Sequence, residues 1–184
     1  MREANKSSSS AIRVPQLKSE LRLPKKLIPH LYQLTLQAHI HGTNHSQFFF
    51  NGSVTIRIEC KENTNILIIH SIFNLSLWKD QIMIFAENDN KKENLLKNMI
   101  YVREREWQKI DLTRDLKAGQ FYIVIFKHFS AKFYSNLYKG WYLSHYIEGN
   151  KTEYLATSQL QPTDARRVFP CFDEPSFKAQ FELF

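Results

Sequence analysis

Pro162, Pro170 and Pro175 fall within fourteen residues near the C-terminal end of this 184-residue chain. Each ring fixes its own φ and pushes the preceding residue out of the helical region. A path this constrained cannot continue as a helix or an ordinary central strand, so its side chains are aimed. Thr163 and Asp164, after Pro162, are positioned to cap one short helical turn through Ala165, Arg166 and Arg167. Val168-Phe169 and Cys171-Phe172 supply apolar anchors on either side of Pro170, and Asp173 and Glu174 put two carboxylates before Pro175. Composition alone describes a proline-rich surface turn. The order of the residues is more specific than their composition.

Upstream, the chain reads as strands. Tyr32, Leu34, Leu36, Ala38 and Ile40 alternate with Gln33, Thr35, Gln37 and His39, the pattern of a half-buried strand. A second alternation puts Phe48, Phe50, Val54, Ile56, Ile58 and Cys60 on one face, with Asn51, Ser53, Thr55, Arg57 and Glu59 on the other. Shorter strands are predicted at 65–70, 73–78 and 81–85, followed by a solvated loop or short helix over 86–97. Residues 99–110 read as one strand, whose charges at Arg103, Glu104, Arg105 and Glu106 mark an exposed edge. A turn at 116–119 precedes a buried strand at 121–126. Strands at 137–146 and 152–158 are joined through Glu148-Gly149-Asn150. Short strands with turns about every ten residues predict an all-β fold, an antiparallel sheet or sandwich. Residues 1–20, polar with a run of serines at 7–10, read as a disordered segment, and 21–184 as one β-domain.

Composition narrows the function. The formal charge is +7, but Lys and Arg are scattered among Asp and Glu with no basic stripe, which argues against nucleic-acid binding. No stretch reaches the ~20 apolar residues a bilayer-spanning helix needs, and the N-terminus carries no signal-peptide core. Against that reading stand five Asn-x-Ser/Thr sequons, at Asn5, Asn44, Asn51, Asn74 and Asn150, which matter only in the secretory lumen. Cys60 and Cys171 form no disulfide framework and read as two buried thiols. His39, His41 and His45 lie close in sequence, but no carboxylate or thiol sits beside them at ligand spacing; a polar hairpin end is the plainer reading. His30, His70, His128 and His145 are isolated and read as structural. Asp173 and Glu174 could do acid–base work as a pair; the competing reading is an ion pair to Arg166 or Arg167, or bonds to backbone. Ser158 and Ser176 have no base around them in sequence.

The run QLQPTDARRVFPCFDEPSFKAQF, residues 159–181, closely resembles the signature of the M1 family of zinc aminopeptidases. The opening Leu23-Pro24 through Pro29-His30-Leu31-Tyr32 is similar to the family's first strand, with Leu31 inserted between the His and the Tyr. The Phe50-x-Gly52-x-Val54 pattern is similar too. The resemblance implies the saddle-like N-terminal β-domain of these enzymes, here truncated at its C-terminal end, beside the catalytic cleft. It implies that Gln161, where the family has Glu or Gln, contacts the free α-amino group of a bound peptide. An ammonium offers three donors, which suits an acceptor oxygen. Gln159, two residues earlier, is a weaker candidate for the same role. Zinc and water chemistry in this family need His-Glu-x-x-His on a helix and a G-x-M-E-N motif, and neither occurs in this chain. Zinc is therefore expected in the full-length enzyme, none is expected to be bound by this chain, and the chain alone is expected to be inactive. The partners implied are a peptide N-terminus, the catalytic domain of the full-length enzyme and a second copy of the full-length protein as a homodimer. The location implied is the extracellular side of the plasma membrane, with N-glycosylation expected at Asn44, Asn51, Asn74 and Asn150. One departure is Leu143, in Gly140-Trp141-Tyr142-Leu143-Ser144-His145-Tyr146, where many members carry an Arg. A non-catalytic β-sandwich binding or decoy module derived from the same family is the second reading.

Overall fold

The alternations predicted above become the strands of an open, nearly all-β domain. The computed structural model describes residues 22–42, 44–133 and 137–184. The disordered segment read at 1–20 and the sequon at Asn5 lie outside them. In chain order the strands are β1 (Leu27–His39), β2 (Phe49–Cys60), β3 (Thr64–His70), β4 (Ser76–Leu77), β5 (Ile82–Ala86), β6 (Leu96–Val102), β7 (Trp107–Leu116), β8 (Phe121–Lys132), β9 (Gly140–Glu148), β10 (Lys151–Gln159) and β11 (Gln180–Leu183).

The largest sheet runs β11-β1-β2-β8-β4, with β5 also paired to β8; β3-β7-β6 form a second sheet and β9-β10 a hairpin. All pairings are antiparallel except β1 with β11. Period-2 alternation dictates which faces meet. Tyr32 and Leu34 of β1, and Phe50, Val54, Ile56 and Ile58 of β2, point into one core with Leu67 and Ile69 of β3, Ile110 of β7 and Phe126 of β8. Trp141, Leu143, Tyr154 and Ala156 fasten the β9-β10 hairpin to the same core. Where the family has an Arg, Leu143 is buried as a core residue.

The extra residue at Leu31 is absorbed as a bulge: Pro29 pairs with Ile58 and Leu31 with Arg57, so β1 carries one residue more than β2 there. Gly52 explains the Phe-x-Gly-x-Val pattern. A Cβ at this position would stand 2.3 Å from the Thr35 carbonyl oxygen and 2.6 Å from the Phe129 ring, so only glycine lets β1 and that ring close over β2.

Two expectations are corrected. Residues 99–110 are not one strand: β6 ends at Val102, Arg103–Arg105 make a single 3-10 turn, Glu106 takes a left-handed φ of 53°, and β7 starts at Trp107. The four charged residues are a hairpin turn, and the exposed position that charge signalled is its tip. Within 73–78 only Ser76–Leu77 is strand, because Phe73 and Asn74 occupy a turn closed by the Leu75 N–H on the Ile72 carbonyl.

Candidate functional site

The proline-pinned segment leaves β10 at Gln159 and returns as β11, and its interior is held by buried polar contacts. Ala165–Arg167 form the expected short turn. Asp164 precedes it but does not cap it: its carboxylate instead accepts from Arg167 Nε at 2.6 Å. A guanidinium three residues on competes well against a backbone N–H for that carboxylate. Arg166 points inward and is nearly buried. Its Nε donates to Asp173 Oδ2 at 2.9 Å, its Nη2 to the Asp173 carbonyl at 3.2 Å, and its Nη1 to Glu106 Oε2 at 3.3 Å. The Arg166 backbone N–H shares the same Asp173 oxygen. Asp173 therefore takes the structural role rather than the acid–base one. Glu174 does likewise, accepting the Leu23 N–H at 2.6 Å with Arg22 near its other oxygen.

Two residues outside the turn complete this frame: His70, read from the sequence as structural, and Tyr32, read there as part of the first strand. His70, at the end of β3, forms a two-bond backbone bridge with Cys171, and its Nδ1 accepts the Asp173 N–H at 3.2 Å. Burial, reinforced by the Arg166 charge, pushes its pKa down to about 3, so the ring is neutral and its remaining proton sits on Nε2. Tyr32 in β1 accepts the Phe172 N–H on its hydroxyl at 3.0 Å, and its ring stacks on Phe181 at 4.5 Å. Burial raises the Tyr32 phenol and the Cys171 thiol well above their ordinary values. Each of these three groups is thus held neutral inside. Their partners lie far away in the chain, so no local motif announces them. Cys60 and Cys171 are free buried thiols, as expected.

The pinned turn divides two open hollows, with Asp173, Glu174 and Pro175 lining both. On one side, about 540 Å³ is bounded by His70, Arg103, Glu106 and Arg166. On the other, about 440 Å³ is bounded by Gln161, Pro162, Phe177 and Lys178. Gln161 is exposed on the rim of the second hollow, and its carbonyl accepts from Gln159 Nε2 at 3.3 Å. The two glutamines are thus neighbours, with Gln159 tethered to the backbone of Gln161. Among the described residues no group of three or more His, Cys, Asp or Glu could hold a metal ion. Of the clustered histidines, His39 stacks on Phe49 and His45 packs on Tyr154, while His41 is exposed. Among the described residues no helix is long and apolar enough to cross a membrane.

Fold and corner together define an open β-domain with Gln161 exposed on the rim of a hollow beside the proline-pinned turn. The profile of the Peptidase M1 N-terminal domain family matches residues 28–184, and the chain belongs to that family. It is 35% identical over 167 residues to aminopeptidase N of Rattus norvegicus, covering 90% of this chain and 17% of that protein. Against aminopeptidase N of Bos taurus it is 34% identical over 180 residues, 96% of this chain and 18% of the relative. Against aminopeptidase N of Plutella xylostella it is 38% identical over 137 residues, 72% of this chain and 14% of the relative. The chain thus spans less than a fifth of the length of these relatives.

Proposed function

We propose that this domain serves a zinc aminopeptidase of the M1 family, removing N-terminal residues from peptides, and that Gln161 accepts a hydrogen bond from the substrate's α-ammonium. The location of Gln161 on a hollow walled by an immobilised turn carries this reading. A side chain that locates an amine must be held within roughly half an ångström, and the Arg166, His70 and Tyr32 contacts supply that stiffness one layer below. Asp173 and Glu174 line the same hollow but are paired with Arg166 and Arg22, and Lys178 lines it too, so the Gln161 side-chain oxygen is the group that recognises the amine. The chain's own residues bind and orient; metal and water chemistry belong to the catalytic part of the whole enzyme, on the extracellular side of the plasma membrane. Gln159, whose Nε2 donates to the Gln161 carbonyl, is the weaker candidate for the same contact through its Oε1.

The test is a chimera carrying residues 28–184 of this chain in place of the matching segment of the rat enzyme. Gln161→Ala is expected to raise KM for an aminoacyl substrate roughly tenfold, the worth of one bond to a charged group, with kcat changing less. Gln161→Glu, adding charge, is expected to lower KM. A KM within twofold of the parent chimera in both variants would refute the role.

A further inference from the structure

The four sequons among the described residues sit in two different backbone settings. Asn44 leads the short turn His45–Gln47, and its Oδ1 accepts both the Ser46 N–H at 3.2 Å and the Ser46 hydroxyl at 2.6 Å. That amide is held by its oxygen, within the sequon itself, in an exposed loop. Asn74 is the second central residue of the turn closed from Leu75 to Ile72, and it too is exposed. Asn150 follows Gly149, whose φ of +62° makes the two-residue connection between β9 and β10, and it is exposed at the hairpin tip. Asn51 differs on each count. It lies within β2, paired to Gln37 on one side and Ser130 on the other, half-buried, with its Nδ2 3.1 Å from His39 Nε2.

Glycan transfer needs that nitrogen. Nδ2 attacks C1 of an oligosaccharide carried on a lipid diphosphate. The C1–O bond to the diphosphate breaks, the N–C1 bond forms, one amide proton passes to a base of the transferase, and the lipid diphosphate leaves. The acceptor backbone must also be free to enter another protein's groove, which a turn allows and a doubly paired strand does not. Timing favours the strand: Gln37 precedes Asn51 into the lumen, a hairpin closes in microseconds, and the chain emerges at about 5–20 residues per second.

We propose that in the secretory lumen Asn44, Asn74 and Asn150 carry N-linked glycans while Asn51 stays bare because β1 and β2 pair first. Asn150 and Gln161 lie at opposite ends of β10, roughly 30 Å apart at strand rise, so the hairpin glycan leaves the Gln161 rim open. This inference is independent of what Gln161 binds. The test expresses the chain behind a cleavable secretory leader in mammalian cells, in an Asn5→Gln background, and counts glycans on total cellular and secreted material. Asn44→Gln, Asn74→Gln and Asn150→Gln are each expected to lose one glycan, and Asn51→Gln none. Ile56→Asp, which buries a charge in β2 outside the sequon, is expected to gain one glycan at Asn51, located by enzymatic deglycosylation in heavy-oxygen water. Occupancy of Asn51 in most molecules of the parent, absence of a glycan at any of the other three, or a bare Asn51 in Ile56→Asp would each overturn the proposal.

Discussion

Asp173 makes four of the contacts that hold the corner: its carboxylate takes the Arg166 backbone N–H and Nε, its carbonyl takes Nη2, and its own N–H goes to His70. Removing its charge strands a guanidinium that is only 10% exposed. Asp173→Asn is therefore expected to cost about 3 kcal/mol in a urea-unfolding measurement, because breaking one half of a buried pair leaves the other uncompensated. A loss below about 1 kcal/mol would show that Glu106 suffices as the counter-ion. His70 gives a pH signature. Its folded pKa lies near 3, against about 6.5 in the unfolded chain, so between these values the unfolded state binds the extra proton. Its contribution is complete above pH 6.5 and is lost as the pH falls toward 3. His70→Asn keeps an acceptor for the Asp173 N–H without titrating, and its stability is expected to fall less than the parent's between pH 6.5 and 4. Equal slopes in the two proteins would place the acid sensitivity elsewhere.

At the scale of elements, β2 is the strand the others are fitted to, and Gly52 is where the fit is closest. Gly52→Ala is expected to destabilise by about 2–3 kcal/mol, since the added Cβ meets a backbone carbonyl as well as the Phe129 ring. A loss within about 0.5 kcal/mol, read from the same denaturation curve, would mean that β1 shifts at little cost. The opposite vulnerability is β11. It pairs with β1 along one edge and exposes Phe181, Leu183 and Phe184 at 57%, 71% and 70%. An apolar strand edge of this kind invites further pairing, so the isolated chain is expected to self-associate, and Leu183→Lys with Phe184→Lys to shift it toward monomer in light scattering behind size exclusion. An unchanged mass distribution would place the contact on another surface. Strong periodicity made β1 and β2 readable in the sequence, and the β9-β10 hairpin was legible as well. Of β8 only 121–126, its aromatic and β-branched first half, was legible, and the strand runs on to Lys132. The β6-β7 turn was not, because four consecutive charged residues fit an exposed strand edge as well as a turn, and a left-handed Glu carries no compositional mark.

For the whole molecule, the family signature marked the family, and local chemistry foretold the ion pair at Asp173. What sequence could not convey is the support from distant strands. Tyr32 meets Phe172 across 140 residues, and His70 meets Asp173 across 103, so only the closed fold brings each pair together. These distant contacts tie the Asp173 corner to β1 and β3, and Gln161 lies exposed on a hollow beside it. The measurement that bears most directly on this is a double-mutant cycle on the chimera described above. Affinities of a peptide inhibitor with a free α-amine and of its des-amino analogue are measured on the parent chimera and on Gln161→Ala. Direct contact gives a coupling energy of at least about 1 kcal/mol between the amine and the Gln161 amide. An equal preference for the amine in both proteins would contradict the account.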